Sequence, residues 1–180
     1  MNIQDLDRLD KEIYDLFDKI QALSEDSKSD IEIIKYLTNH TVLLISGYMD
    51  KYFLFIIKDC ISNKIMPNEL KNFILNKIKG RHGLTNLDSK KIKGILSDFN
   101  EGWSTLLSTY INSNNNQSTA LGNIVDARNK IAYGDSVNIS ISEYIRHYED
   151  AKKLLEYAKT FFDGIQINLD LSSTELQVGT

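Results

Sequence analysis

The chain has 180 residues and a formal charge of −4, from 21 Lys+Arg against 25 Asp+Glu. That length suits one ordinary domain with a sizeable core, and 42% hydrophobic with 26% charged residues argues against disorder. The lone Cys60 excludes an internal disulfide, and one Cys with three His leaves no zinc-finger spacing.

A single Pro in the whole chain suits a mostly helical fold, because Pro breaks helix interiors. Ile3, Leu6, Leu9, Ile13, Leu16, Phe17, Ile20 and Leu23 recur every three or four residues, which predicts a first amphipathic helix with one buried stripe. Ser24 to Ser29 is a polar break. A second helix is predicted from Asp30 to about Asn63, apolar on nearly all sides between Val42 and Ile57 and therefore central to a bundle. That run is interrupted by Gly47, Asp50 and Lys51 and falls short of the ~20 residues a membrane span requires. The N-terminus lacks the basic start and apolar core of a secretory signal, so a soluble, cytoplasmic protein is expected, with no membrane partner.

Pro67 opens a third segment, Asn68 to Ile78, where Pro is tolerated, and Gly80-Arg81-His82-Gly83 reads as a loop. Asp88 is placed to cap a short helix to about Phe99, with Trp103 to Ile111 continuing it. Asn112 to Ser118 is polar, low in complexity and predicted to be a loop. Ser118 or Thr119 would cap the next helix, which runs to Tyr133 with Gly134 just past its end. Ser140 or Ser142 opens the last long helix. Its stripe is Ile141, Tyr144, Ile145, Tyr148, Ala151, Leu154, Leu155, Ala158, Phe161 and Phe162. Beyond Gly164, Ile165, Ile167, Leu169 and Leu171 alternate with polar residues, as a short strand or an irregular tail would. The expected architecture is all-α, a bundle of about four to six helices, with one domain over 1–163 and a tail over 164–180.

Charge is segregated. Residues 1–30 hold nine acids and four bases, whereas 71–93 hold seven bases and one acid, Asp88. Two readings of the basic stretch stand side by side: a solvated face balancing the acidic first helix, or a phosphate-contacting surface carried by Lys77, Lys79, Arg81, Lys90 and Lys91. Most of the Tyr and Phe residues fall on apolar stripes and read as core, and Trp103 reads as a packing anchor. His40 reads as a partly buried structural residue. His82 reads as an exposed loop residue or a phosphate contact. His147 could approach the preceding helix if the last two helices pack antiparallel. No metal signature, Gly-rich nucleotide loop or P-loop is present, and no cofactor is expected.

The most informative segment is Leu121 to Gly134. Arg128 and Asn129 lie side by side in the last turns of a helix before a Gly stop. Asn129 and Tyr133, four apart, share a face, with Arg128 on its flank. A guanidinium offers a planar fork of donors suited to phosphate, although a cation and a polar residue also suit a helix C-terminus on structural grounds alone.

This segment resembles the signature of the HEPN superfamily, in particular its RiboL-PSP-HEPN and related defence-island branches: Arg, a polar residue that is usually Asn, a few variable residues, then His, often followed by Gly. Arg128, Asn129 and Gly134 match. The long apolar helix around Leu43 to Phe53 and the final helix opening Ser140-Ile-Ser-Glu-Tyr144 are similar to the family's second and last helices, so the resemblance covers about residues 30 to 162. It implies a metal-independent endoribonuclease, a toxin of a defence, abortive-infection or toxin–antitoxin system. Two motifs would meet across a homodimer, with RNA (tRNA or single strands) as substrate and an antitoxin or other defence protein as a further partner. It also implies that Arg128 steadies the scissile phosphate and Asn129 orients it, with Tyr133 at the acid–base position. That last position departs from the pattern. An imidazole titrates near ~6.5 and serves as acid and base, whereas a phenol titrates near ~10 and is a poor base at neutral pH. Tyr133 therefore marks either a silenced ribonuclease or a non-catalytic module that binds protein or RNA.

Overall fold

The computed structural model describes residues 2–26, 28–62, 67–135, 137 and 140–175, with side chains from 165 onward excepted. Among these, seven helices follow in order: α1 (Ile3–Glu25), α2 (Ile31–Ser62), α3 (Asn68–His82), α4 (Ser89–Phe99), α5 (Glu101–Ser113), α6 (Asn115–Ala132) and α7 (Ile141–Glu175). The all-α reading holds, with more helices than the expected four to six. The additional boundary is Asn100. Its backbone is extended, its N–H donates to the Leu96 carbonyl (2.8 Å), and its Oδ1 accepts from the Gly102 N–H (2.9 Å). One residue thus stops α4 and caps α5, dividing what reads as a continuous helix.

The α1 stripe buries Leu6, Ile13, Phe17 and Ile20, and α1 lies along α2. α2 is the central helix, burying residues from Thr41 to Ile61. Its outer face is bare at Ile33, Tyr36 and Leu43. His40, expected to be partly buried, is exposed on α2. The core side of this turn is taken by Thr41 and Val42 instead. α7 packs most extensively against α6, and also against α2 and α1. Tyr144, Tyr148, Ala151, Leu154, Leu155, Ala158 and Phe162 are fully enclosed, as the periodicity predicts. Trp103 is the expected anchor: it stacks on Phe99 and Phe161 and meets Phe162 edge-on.

The α1–α7 joint is an aromatic and ionic cluster. The Tyr148 hydroxyl donates to Asp10, Tyr14 to Glu149 and Tyr52 to Glu156. The Lys152 ammonium bonds both Asp10 oxygens (2.9 and 2.8 Å) and lies over the Tyr14, Tyr48 and Tyr148 rings. Cation–ring attraction is strongest where water is excluded.

Three further expectations are corrected. The Asn-rich run is helical except at Asn114, which separates α5 from α6 and supplies the N-cap position expected at Ser118 or Thr119. Its amides have distant partners: Asn116 Nδ2 donates to Asp150 (3.0 Å), and the buried Gln117 accepts from the Tyr110 hydroxyl (2.9 Å). The expected loop at 80–83 is helical through His82, and Gly83 stops it with φ +61°. Residues 165–175 continue α7 rather than forming a strand. Extending an existing helix adds one hydrogen bond per residue fixed, whereas a lone strand leaves its backbone groups unpaired. Residues 176–180 of the expected tail lie outside the described residues. Among the described residues, no helix is long and apolar enough to cross a membrane.

Candidate functional site

The C-terminus of α6 places the motif residues. The Asp135 N–H donates to the Lys130 carbonyl (2.9 Å) and the Gly134 N–H to the Ile131 carbonyl (3.1 Å), with Gly134 at φ +83°. This paired closure needs a left-handed residue, which is why a glycine follows the helix. It leaves Tyr133 as the last, capping residue, 85% exposed.

Leu121, Ile124 and Ala127 pin α6 to the core. Arg128 and Asn129 are half-buried beside them, and the Arg128 Nη1 donates to the Asn129 Oδ1 at 3.1 Å. The fork of one and the amide of the other are thereby brought together, with further guanidinium donors left for an anion.

Asp50 of α2, which in the sequence looks like an interruption of an apolar run, is the acidic member of this region. Its oxygens accept from the Asn86 N–H (3.0 Å) and the Leu87 N–H (2.8 Å), fastening the α3–α4 loop to α2. Asn86 is held at φ +55° and Leu87 is buried. Burial pushes the Asp50 carboxyl above its ordinary range, against the opposing pull of the two N–H groups and of the Lys91 and Arg128 charges. No sequence pattern marks Asp50, because its partners are backbone groups some 36 residues away.

The expected RNA-contacting residues do not form one group. Lys77, Lys79 and Lys90 are exposed. Lys91 is drawn toward the Asp50 region, its ammonium donating to the Thr85 carbonyl at 2.6 Å. Arg81 pairs with Asp98, which also binds the His82 Nε2 at 2.7 Å. The His82 ring fills the space in front of Gly94, where an added Cβ would sit 2.9 Å from its Cε1. His82 is thus a linker between α3 and α4 rather than an exposed loop residue.

His147 stands at 3.2 Å from the Asn123 amide, on a polar groove between α6 and α7 lined also by Asn116, Thr119, Arg146 and Asp150. Asn123 precedes Arg128 by five residues, so its side chain leaves α6 on a different side. Burial and the adjacent Arg146 charge lower the His147 pKa, keeping the ring neutral near pH 7. The ring nitrogen of His147 is thus engaged with Asn123 and that of His82 with Asp98, not with Arg128, Asn129 or Tyr133. Among the described residues, no three His, Cys, Asp or Glu side chains are gathered closely enough to hold a metal ion.

A family model described as RiboL-PSP-HEPN matches residues 4–164 of the chain. No curated protein and no solved structure matches it.

Proposed function

The chain belongs to the RiboL-PSP-HEPN family, and on that footing we propose that it is a HEPN-type, metal-independent endoribonuclease whose own Tyr133 impairs catalysis. The observation that carries this reading is the union of Arg128 and Asn129 at a helix end whose terminal residue, Tyr133, projects into solvent. In the proposed reaction the RNA 2′-oxygen attacks phosphorus, the bond to the 5′-oxygen breaks, and a cyclic phosphate and a 5′-hydroxyl result. The proton leaving the 2′-hydroxyl and the proton reaching the 5′-oxygen both need a carrier. Arg128 binds the phosphate oxygens and Asn129 fixes their orientation. Tyr133 puts a phenol in the carrier's place, a group that does not readily give and take protons near neutral pH as an imidazole does, and the loss of such acid–base help is worth roughly 10²–10⁴-fold.

Of the expected basic residues, the exposed Lys77, Lys79 and Lys90 would guide the RNA, while Arg81 and Lys91 are already engaged by Asp98 and Thr85. Two motifs would face one another across an isologous homodimer, which the bare Ile33–Tyr36–Leu43 face of α2 supports. In a cell the enzyme would act as a defence or toxin–antitoxin ribonuclease held in check by a partner protein.

The test compares the chain with its Tyr133→His variant on mixed RNA in EDTA. Cleavage by the variant alone, leaving cyclic-phosphate ends, and its loss on adding Arg128→Ala, is the expected result. Inactivity of Tyr133→His would count against the enzyme. A second reading, a non-catalytic module, is favoured by one observation: His147 and His82 are committed to Asn123 and Asp98, so neither stands in for the motif His. In that case expression of Tyr133→His leaves host growth unaffected.

A further inference from the structure

Phe73 is 62% exposed on α3, an unusual place for a large aromatic side chain. It borders a groove of about 280 Å³ between α3 and α4, lined by Phe73, Ile74, Lys77, Ile78, Asp98 and Phe99. The two aromatic walls differ. Phe99 is held by stacking on Trp103 and by an edge contact with Phe162. Phe73 has no ring partner among the described residues, so its face is open to an occupant.

The surrounding charge selects the occupant. α3 carries Lys71, Lys77, Lys79 and Arg81 against Glu69 alone. The groove's own acid, Asp98, is already bound by Arg81 and His82. An apolar slot with Lys77 on its wall, on a helix of net positive charge, suits a ligand with a flat apolar unit and an anionic backbone. Its volume falls just below the range for whole-ligand pockets (~300–1,000 Å³), enough for one ring system.

We infer that the α3–α4 groove takes an unpaired nucleobase of single-stranded RNA, stacked on Phe73, with Lys77 on the adjoining phosphate. The inference rests on the RNA reading above and narrows it. A base inside a duplex has no free face to offer, so the groove discriminates single strands from helices, and stacking is tolerant of sequence.

The test uses the full chain and a 2′-O-methyl oligonucleotide, which lacks the attacking hydroxyl, carrying 2-aminopurine at one position. Binding is followed by anisotropy and stacking by quenching of the 2-aminopurine fluorescence. Phe73→Ala and Phe73→Leu are expected to weaken single-strand binding about five- to 150-fold, the loss of one base–aromatic stack, and to abolish quenching. Phe73→Trp is expected to retain both, and duplex RNA is expected to compete poorly. If quenching and affinity are the same in Phe73→Leu, the inference fails while the RNA reading stands, and the groove becomes a candidate seat for a protein segment. If no form binds RNA, and Lys79→Ala and Lys90→Ala change nothing, the RNA reading itself fails.

Discussion

The α1–α7 joint and the α3–α4 hairpin use similar residue types for opposite ends. At the joint, Lys152 is surrounded by three tyrosine rings and bonded to Asp10, so its charge is consumed within the protein. At the hairpin, Lys77 and Lys79 stand in solvent and Phe73 lies uncovered. The difference is one of backing. The joint is pressed between α1, α2 and α7, whereas among the described residues α3 is packed lightly, chiefly on α2 and α4. A cation held among rings and a carboxylate ties helices together, and one standing in solvent is available to a partner.

Truncating an aromatic residue in each region gives the largest contrast. Tyr148→Ala removes an enclosed ring that meets Tyr14, Phe17 and Tyr48, and an expected loss of about 3–5 kcal/mol should move the urea midpoint with little change in slope. Phe73→Ala should alter stability by less than about 0.5 kcal/mol. Comparable losses at the two positions would break the distinction.

Replacing a lysine in each region sharpens it. Lys77→Ala should lower the dependence of log affinity on log salt by about 0.7, the contribution of one single-strand phosphate contact. Lys152→Ala should leave that slope alone and lower the melting temperature instead, because Asp10 then loses two charge-assisted bonds.

The smallest expected effect is a pH dependence outside both regions. The folded His147 has a lowered pKa, through burial and then the Arg146 charge. The unfolded state therefore binds its proton more readily, and stability falls as pH drops through ~6.5. His147→Gln should flatten the melting temperature between pH 7 and 5, and an unchanged profile would show that His147 does not contribute.

Helix periodicity made the bundle legible, and Gly134 made the end of α6 legible, because both depend on near neighbours in the chain. Asp50 stayed hidden because its role comes from the Asn86 and Leu87 backbone across space. The Asn run has the composition of a loop for a related reason: Asp150 and Tyr110, which anchor Asn116 and Gln117, are placed by tertiary packing. Arg81 and His82 looked like free basic groups because Asp98, 16 residues beyond His82, carries no local mark of its pairing with them. The order of Arg128, Asn129 and Tyr133 is visible in the sequence, whereas the bond between His147 and Asn123 is not, because it depends on the side of α6 from which Asn123 emerges.

Gly94 has a reach well beyond its size. With no side chain there, the His82 imidazole comes up close to α4 and still grips Asp98 one turn further on. A methyl group at 94 would act as a shim, pushing the ring outward and swinging α3 about its thin contact with α2. The gauge of the slot between Phe73 and Phe99 is thus tied to a carbon atom that residue 94 lacks.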